Sequence, residues 1–397
     1  MFLTERSIQS DKLQFLSSSI FTEMANLKHS LIAQGRDIID LGIGSPDLPP
    51  PAHVQQALID AVLRPNAFGY AHQQGFPTLR QAFADWYGNR FDGVAALDPM
   101  KEVLVLMGSQ DGLSHLPAAL LNPGDVALLP DPAYPVYEAG VYLASGEIAR
   151  MPLLADNGFL PDFNAIPEET RRRAKFMLLA YPGNPVPAMA DEAFFKKAIR
   201  FCKENEIILV HDLAYSELTF DDYRPLSILQ VEGAREIAVE FHSMSKSFSM
   251  AGSRIGFLVG NEKVVGALAM LKSNIDYGVF GPVQHAATVA LTGDQSYLKE
   301  MAKTYEARRD ALVDGLAEIG WTVDKPAATM FVWAKLPYEV DTREFAFRLM
   351  REAGVGVIPG EAFGEQGRGY VRIALVQPVE RLQEVVRRIK ESGILEG

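Results

Sequence analysis

Between residues 100 and 260, short apolar runs alternate with stretches whose apolar positions recur every three to four residues. The runs cover 103–107, 126–129, 176–180, 207–210, 237–241 and 255–259. Each is rich in β-branched or large apolar residues, short enough for a strand buried on both faces, and followed by helical or turn pattern. That alternation predicts an α/β fold with a mostly parallel sheet sandwiched by helices. In such sheets ligands gather beyond the carboxyl ends of the strands. Ser109, Asn184, Asp212 and Lys246 each follow one of the runs by a few positions.

The flanks read differently. Residues 1–40 alternate polar and apolar positions without a strand signal and predict a helical arm, with Ile20, Met24 and Leu27 on one face. Segment 42–51, Gly-Ile-Gly-Ser-Pro-Asp-Leu-Pro-Pro-Pro, breaks regular structure, and helical pattern resumes over 54–63 and 78–89. From about Thr288 a long helix over 297–319 is expected, then strands over 330–334 and 370–374 and helices over 343–353 and 379–389, a smaller α+β unit. The expected division is an arm and loop over 1–45 packing with the small domain, a large domain over 46–287, and a small domain over 288–397.

Composition narrows the function classes. A chain of 397 residues with 48% hydrophobic and 22% charged residues can build a large core. Its net charge of −12 argues against general nucleic-acid binding while leaving room for a local basic pocket. The one basic run, Arg171-Arg172-Arg173, reads as a solvated helix end. A single cysteine, Cys202, excludes an intrachain disulfide framework and a cysteine-rich metal site. No metal is expected, and His72, His211 and His242 read as structural or supporting residues. Without a signal-peptide pattern or an apolar run of the ~20 residues a membrane span needs, the expectation is a cytoplasmic protein with no membrane partner.

The chemistry centres on Ser243-Met244-Ser245-Lys246-Ser247-Phe248-Ser249-Met250-Ala251-Gly252-Ser253-Arg254, which follows the run 237–241. A small, hydroxyl-rich turn lets a phosphate approach the backbone, and Arg254 can pair with it in a bidentate way. Lys246, held in a partly dry pocket, is then available for carbonyl chemistry. An isolated lysine in a polar loop would read as a surface residue; its neighbours along the chain turn that reading over. Gly108-Ser109-Gln110-Asp111-Gly112 follows a strand and opens a helix, an arrangement that binds anions but is common without any ligand. Asp212 at a strand end can hold a pyridinium nitrogen protonated; alone it reads equally as a helix N-cap. Tyr215 can hydrogen-bond the ring's phenolic oxygen. Arg372, amid apolar neighbours, must find an anion, either a substrate carboxylate or a structural salt bridge.

Ser-x-Ser-Lys-x-x-x-Met-Ala-Gly-x-Arg resembles the cofactor-lysine signature of the class I/II aminotransferases, pyridoxal-phosphate enzymes of fold type I. The resemblance runs from Leu41-Gly42-Ile43-Gly44-Ser45-Pro46-Asp47 to Val371-Arg372-Ile373, nearest in pattern to bacterial alanine-type and LL-diaminopimelate-type transaminases. It implies pyridoxal 5'-phosphate in a Schiff base with Lys246, and a cofactor site of Ser109, Gln110, Tyr134 stacked on the ring, Asn184, Asp212, Tyr215, Ser243, Ser245 and Arg254. It assigns Arg372, Asn184 and the Gly44 loop to the substrate carboxylate. Tyr70 matches the tyrosine that reaches a neighbouring subunit's phosphate, so a homodimer with shared active sites is expected. Two departures stand out: Pro187 replaces the glycine of the family's Asn-Pro-x-Gly turn, and Ser253 the tryptophan before the arginine.

The implied activity is transfer of an amino group between an amino acid and a 2-oxo acid. Relatives acting on diaminopimelate carry a glutamate between the partner tyrosine and its following glycine; Gln73 stands at that place here. An amide offers no full charge to a distal ammonium, so the expectation is alanine/glutamate-type or broad neutral specificity. LL-diaminopimelate is the alternative, and a pyridoxal-phosphate lyase on the same fold is another. A cofactor domain of a transcription regulator is disfavoured, because no DNA-binding segment precedes residue 40.

Overall fold

The computed structural model describes residues 10, 12, 13, 16 and 19–396, so most of the expected arm before Ser19 lies outside the described residues. Its centre is a seven-stranded sheet of β1 (Val103–Leu106), β2 (Val126–Asp131), β3 (Glu147–Pro152), β4 (Ala174–Leu179), β5 (Ile208–Asp212), β6 (Ala238–Ser243) and β7 (Gly256–Gly260). Their spatial order is β1-β7-β6-β5-β4-β2-β3. Only β7 runs against its neighbours, pairing antiparallel with β1 and β6; the other pairs are parallel.

Both faces of the sheet are covered, which is why its strands read as continuous apolar runs. Val103, Val105, Val126 and Leu128 pack on one side with Phe195, Ala198 and Cys202 of helix Glu192–Glu204. Leu104, Leu106, Ala127 and Leu129 point the other way, onto Leu113, Leu116, Tyr137 and Leu268, as the two-residue repeat of a strand requires. Asp191 starts helix Glu192–Glu204 by accepting the Phe194 N–H at 2.7 Å. Strand β3 has no counterpart among the sequence runs. It is one of the two sheet edges, and its exposed or half-exposed Glu147, Ile148, Ala149 and Arg150 break any apolar run.

A second core forms around a three-stranded antiparallel sheet with β10 (Tyr370–Ala374) between β8 (Phe331–Lys335) and β9 (Ile358–Pro359). Helices Ser296–Glu318, Thr342–Glu352 and Val379–Ser392 cover it. The N-terminal helix Ser19–Ala33 joins this core through Met24 and Leu31, and Ile39–Asp40 pairs in parallel with Val355–Gly356. Helix Gly281–Thr292, which spans position 288, packs instead on Ala52–Val62 and Pro77–Arg90.

Candidate active site

One cavity of about 500 Å³ opens at the carboxyl ends of the parallel strands, between the two cores. Ser109, Gln110, Tyr134, Asn184, Asp212, Tyr215, Ser243, Ser245, Lys246 and Arg254 line it from the large sheet, and Gly44 and Arg372 from the other side. Twelve of the residues singled out in the sequence therefore meet in one place.

Lys246 lies on the single-turn helix Met244–Ser247 directly after β6. Its Nζ donates to the Gly44 carbonyl at 2.8 Å and stands 5.8 Å from the centre of the Tyr215 ring. Burial, then the nearby Arg372 and Arg254 cations, bring its pKa down to about 8, against a smaller opposite pull from Asp212. An amine so placed reaches its neutral, nucleophilic form more than two units earlier than a free lysine.

Asp212 ends β5 and is buried. Burial pushes its carboxyl up, opposed by the Tyr137 hydroxyl, which donates to Oδ2 at 2.6 Å, and by the Ala214 N–H, which donates to Oδ1 at 3.2 Å. Tyr137 itself stays a phenol, because burial and the Asp212 charge both push its pKa far up. A desolvated carboxylate of this kind favours a cationic partner.

The anion side is built on Gly108, the N-cap of helix Ser109–Leu120, with φ 79° and ψ 156°. A Cβ at Gly108 would stand 2.5 Å from Arg254 Nη2, so the guanidinium packs against bare backbone at the helix N-terminus. Arg254 has φ 52° and donates to the carbonyl of Ala251 at 3.0 Å. Among the described residues no carboxylate forms a salt bridge with it. Asp111 fixes the helix start, accepting the Met107 N–H at 2.9 Å and the buried Lys272 ammonium at 2.5 Å.

Arg372 projects from β10, buried between the rings of Phe331 and Phe363, whose centres lie 4.3 and 4.6 Å from Cζ. Nη1 donates to Asn184 Oδ1 at 2.7 Å and Nη2 to the Gly42 carbonyl at 2.6 Å, while Nε has no partner. Burial brings its pKa down to about 10. No structural salt bridge to Arg372 exists among the described residues. A buried guanidinium with an unspent donor is chemically matched to a carboxylate.

A helix N-terminus beside a free guanidinium, a desolvated carboxylate and a depressed-pKa amine fit the phosphate, ring nitrogen and carbonyl carbon of pyridoxal phosphate. Comparisons with known proteins speak to this directly. The model of the "Aminotransferase class I and II" family matches residues 36–389. The chain belongs to that family. It is a pyridoxal-phosphate-dependent aminotransferase of fold type I. The LL-diaminopimelate aminotransferase of Syntrophobacter fumaroxidans is 45% identical over 384 residues, covering 97% of this chain and 98% of its own. Substrate-bound BacF from Bacillus subtilis superimposes with a TM-score of 0.91 at 38% identity, covering 97% of this chain and 98% of its own. The probable N-succinyldiaminopimelate aminotransferase of Thermus thermophilus follows with a TM-score of 0.88 at 37% identity, over 94% of this chain and all of its own.

Two sequence candidates fall outside the cavity. Tyr70 is 88% exposed and packs against Tyr277, with ring centres 4.8 Å apart and planes inclined at 38°. Gln73 lines a separate cleft with Gln74, Arg80 and Lys101. The departures from the family pattern leave the site intact: Asn184 meets Arg372 although residue 187 is proline, and Ser253 does not line the cavity. Sequence reasoning missed Tyr137, Phe21, Phe331 and Phe363 as lining residues. Tyr137, one helical turn beyond Tyr134, was within reach of the spacing; Phe21 comes from the N-terminal helix and carries no local signal.

Proposed function

We propose that this aminotransferase uses LL-diaminopimelate as amino donor to a 2-oxo acid, with Lys246 as the catalytic amine. The observation that carries the mechanism is the Lys246 amine, its pKa brought down to about 8, in one cavity with Asp212, Arg254 and Arg372. When bound, pyridoxal phosphate supplies a carbonyl for the amino group and an electron sink for the substrate's Cα. Arg254, Ser243, Ser245 and the amides at Ser109 and Gln110 would hold its phosphate. Asp212, held by Tyr137, would keep a proton on the ring nitrogen, Asn184 and Tyr215 would hydrogen-bond the ring oxygen, and Tyr134 would pack on the ring. Arg372 fixes the substrate α-carboxylate, with Asn184 and the Gly44 loop closing over it and excluding water. Lys246 Nζ would take the proton from the substrate Cα and give it to the carbonyl-derived carbon of the cofactor, and a second 2-oxo acid would reverse the sequence, so ping-pong kinetics are expected.

Relatives named LL-diaminopimelate aminotransferase, 41–46% identical over 90–97% of this chain, support the donor assignment. They favour the alternative over the alanine/glutamate expectation built on Gln73. Asp212 is the one carboxylate among the lining residues, so a distal ammonium would meet polar groups brought by a second copy, Gln73 among them. The same reading places Tyr70 of that copy at the phosphate and makes the protein a cytoplasmic homodimer. The expected boundary at 287/288 falls inside helix Gly281–Thr292, which packs with the large unit, so the division proposed is an arm over 1–45, a cofactor domain over 46–292 and a small domain over 293–397. The deciding measurement is kcat/KM for LL-diaminopimelate, alanine and glutamate against a common 2-oxo acid. LL-diaminopimelate should lead by at least tenfold; a lead for alanine or glutamate overturns the donor assignment, and release of ammonia in place of a second amino acid overturns the transaminase reading.

A further inference from the structure

Segment 42–51 crosses the cavity with both ends tied to the small core. At one end the Leu41 carbonyl accepts the Ala374 N–H at 2.8 Å and the Leu41 N–H donates to Gly356 at 2.7 Å. At the other, Arg308 of helix Ser296–Glu318 grips the Asp47 carboxylate with both terminal nitrogens, each at 2.7 Å. The Tyr305 hydroxyl adds a contact to Asp47 at 3.3 Å, and the Tyr297 hydroxyl donates to the Pro49 carbonyl at 2.8 Å. Between the two ties, the Gly42 carbonyl meets Arg372 and the Gly44 carbonyl meets Lys246.

The Arg308 guanidinium is buried, and its Nη1 also donates to the Leu375 carbonyl at 3.2 Å, three residues beyond Arg372 on the continuation of β10. A single rigid fork thus fixes both the loop that carries Gly44 and the strand that carries Arg372. Bidentate pairs of this kind add directional constraint as well as energy. We infer that Asp47 and Arg308 are positioning residues, which hold segment 42–47 so that its Gly42 carbonyl sets Arg372 for the substrate α-carboxylate. Neither touches the reacting atoms. Because donor and acceptor both present a carboxylate to Arg372, loss of the pair weakens both substrates alike and leaves the proton transfers at Lys246 largely untouched. This inference rests on the proposed roles of Arg372 and Lys246.

The test uses full-length holoenzyme carrying Asp47→Asn, Arg308→Gln, both together, or Asp47→Glu. Asp47 is partly exposed, so Asp47→Asn remains informative if Arg308→Gln fails to fold. Expected is a tenfold or greater rise in KM for donor and acceptor with kcat within threefold. The double variant should be no worse than either single one, and Asp47→Glu should recover part of the loss. Hydrogen exchange of the amides over 43–48 should quicken tenfold or more in Asp47→Asn. A variant of lowered melting temperature with unchanged KM and unchanged loop exchange overturns the inference and leaves a purely structural tie. If the wild-type protein transaminates no donor–acceptor pair, the proposed function fails, and the exchange comparison still decides whether the ion pair holds the loop.

Discussion

Replacing Gly108 with alanine puts the anion side of the site under a defined strain. The residue sits at φ 79° and ψ 156°, a region essentially reserved for glycine, and holding another residue there costs about 1–3 kcal/mol. The new methyl would also stand 2.5 Å from Arg254 Nη2 and 2.9 Å from Cζ. Those atoms belong to a long side chain on the cavity wall, so the guanidinium would move and the backbone would not. A charge-assisted hydrogen bond contributes about 1.5–3 kcal/mol, so losing one such bond to the phosphate weakens cofactor binding roughly ten- to hundredfold. The assay is an absorbance titration of apoprotein with pyridoxal phosphate and, in parallel, with pyridoxal. The variant should lose affinity for the first and little for the second. Gly252→Ala, where a Cβ meets nothing within 4 Å, serves as a nearby control two residues before Arg254 and should behave as wild type. Equal losses for both ligands, or none for either, would refute the reasoning that Arg254 and the Gly108 turn form a phosphate site.

Lys246→Ala should abolish multiple turnover and leave no cofactor that borohydride can fix to the protein; near wild-type cycling would remove Lys246 from the chemistry. Asp212→Asn should retain the cofactor but slow Cα-proton exchange by at least a hundredfold, measured by loss of deuterium from labelled donor, and a mild effect with normal spectra would dismiss the ring-nitrogen role. Lys246 also predicts a pH effect on the apoprotein. Its folded pKa of about 8 lies below the ordinary 10.5, so between those values the unfolded chain holds the extra proton and stability from this group rises with pH. Chemical denaturation of wild type and Lys246→Met apoprotein should show the wild type gaining on the variant from pH 8 to 10.5; a constant difference would contradict the depressed pKa.

Much of this was legible because the sheet is buried on both faces. Six of its seven strands announced themselves as apolar runs, and the residues just past their ends were the right place to look for a site. β3 was illegible for the converse reason: Glu147, Ile148, Ala149 and Arg150 are exposed or half-exposed and the charged positions erase the run, whereas β1, the other edge, is buried throughout and stays readable. Most of the cofactor candidates that line the cavity follow a strand end with its local turn, which is why they could be singled out; Tyr70, between two helices, falls outside it. Tyr137 and the Phe331–Phe363 sandwich around Arg372 depend on how helices and the second core close over that layer, which no local pattern encodes. The Asp47–Arg308 pair joins residues 261 positions apart, and nothing near either one announces the other.

The origin of the lining residues has a consequence for how such a protein can change. Asp212, Lys246, Ser109 and Tyr134 stand at the ends of one sheet or just past them, whereas Arg372, Phe331, Phe363 and Phe21 come from the second core and the N-terminal helix. On the proposed roles, the residues that would handle the cofactor and those that would receive a donor stand on different scaffolds. Drift at Phe21 or Phe363 can retune which amino acid is accepted without disturbing a single hydrogen bond of Asp212. Substrate preference is the part of this enzyme most open to selection, and a library confined to Phe21, Ile43 and Phe363 should yield altered donors at undiminished cofactor occupancy.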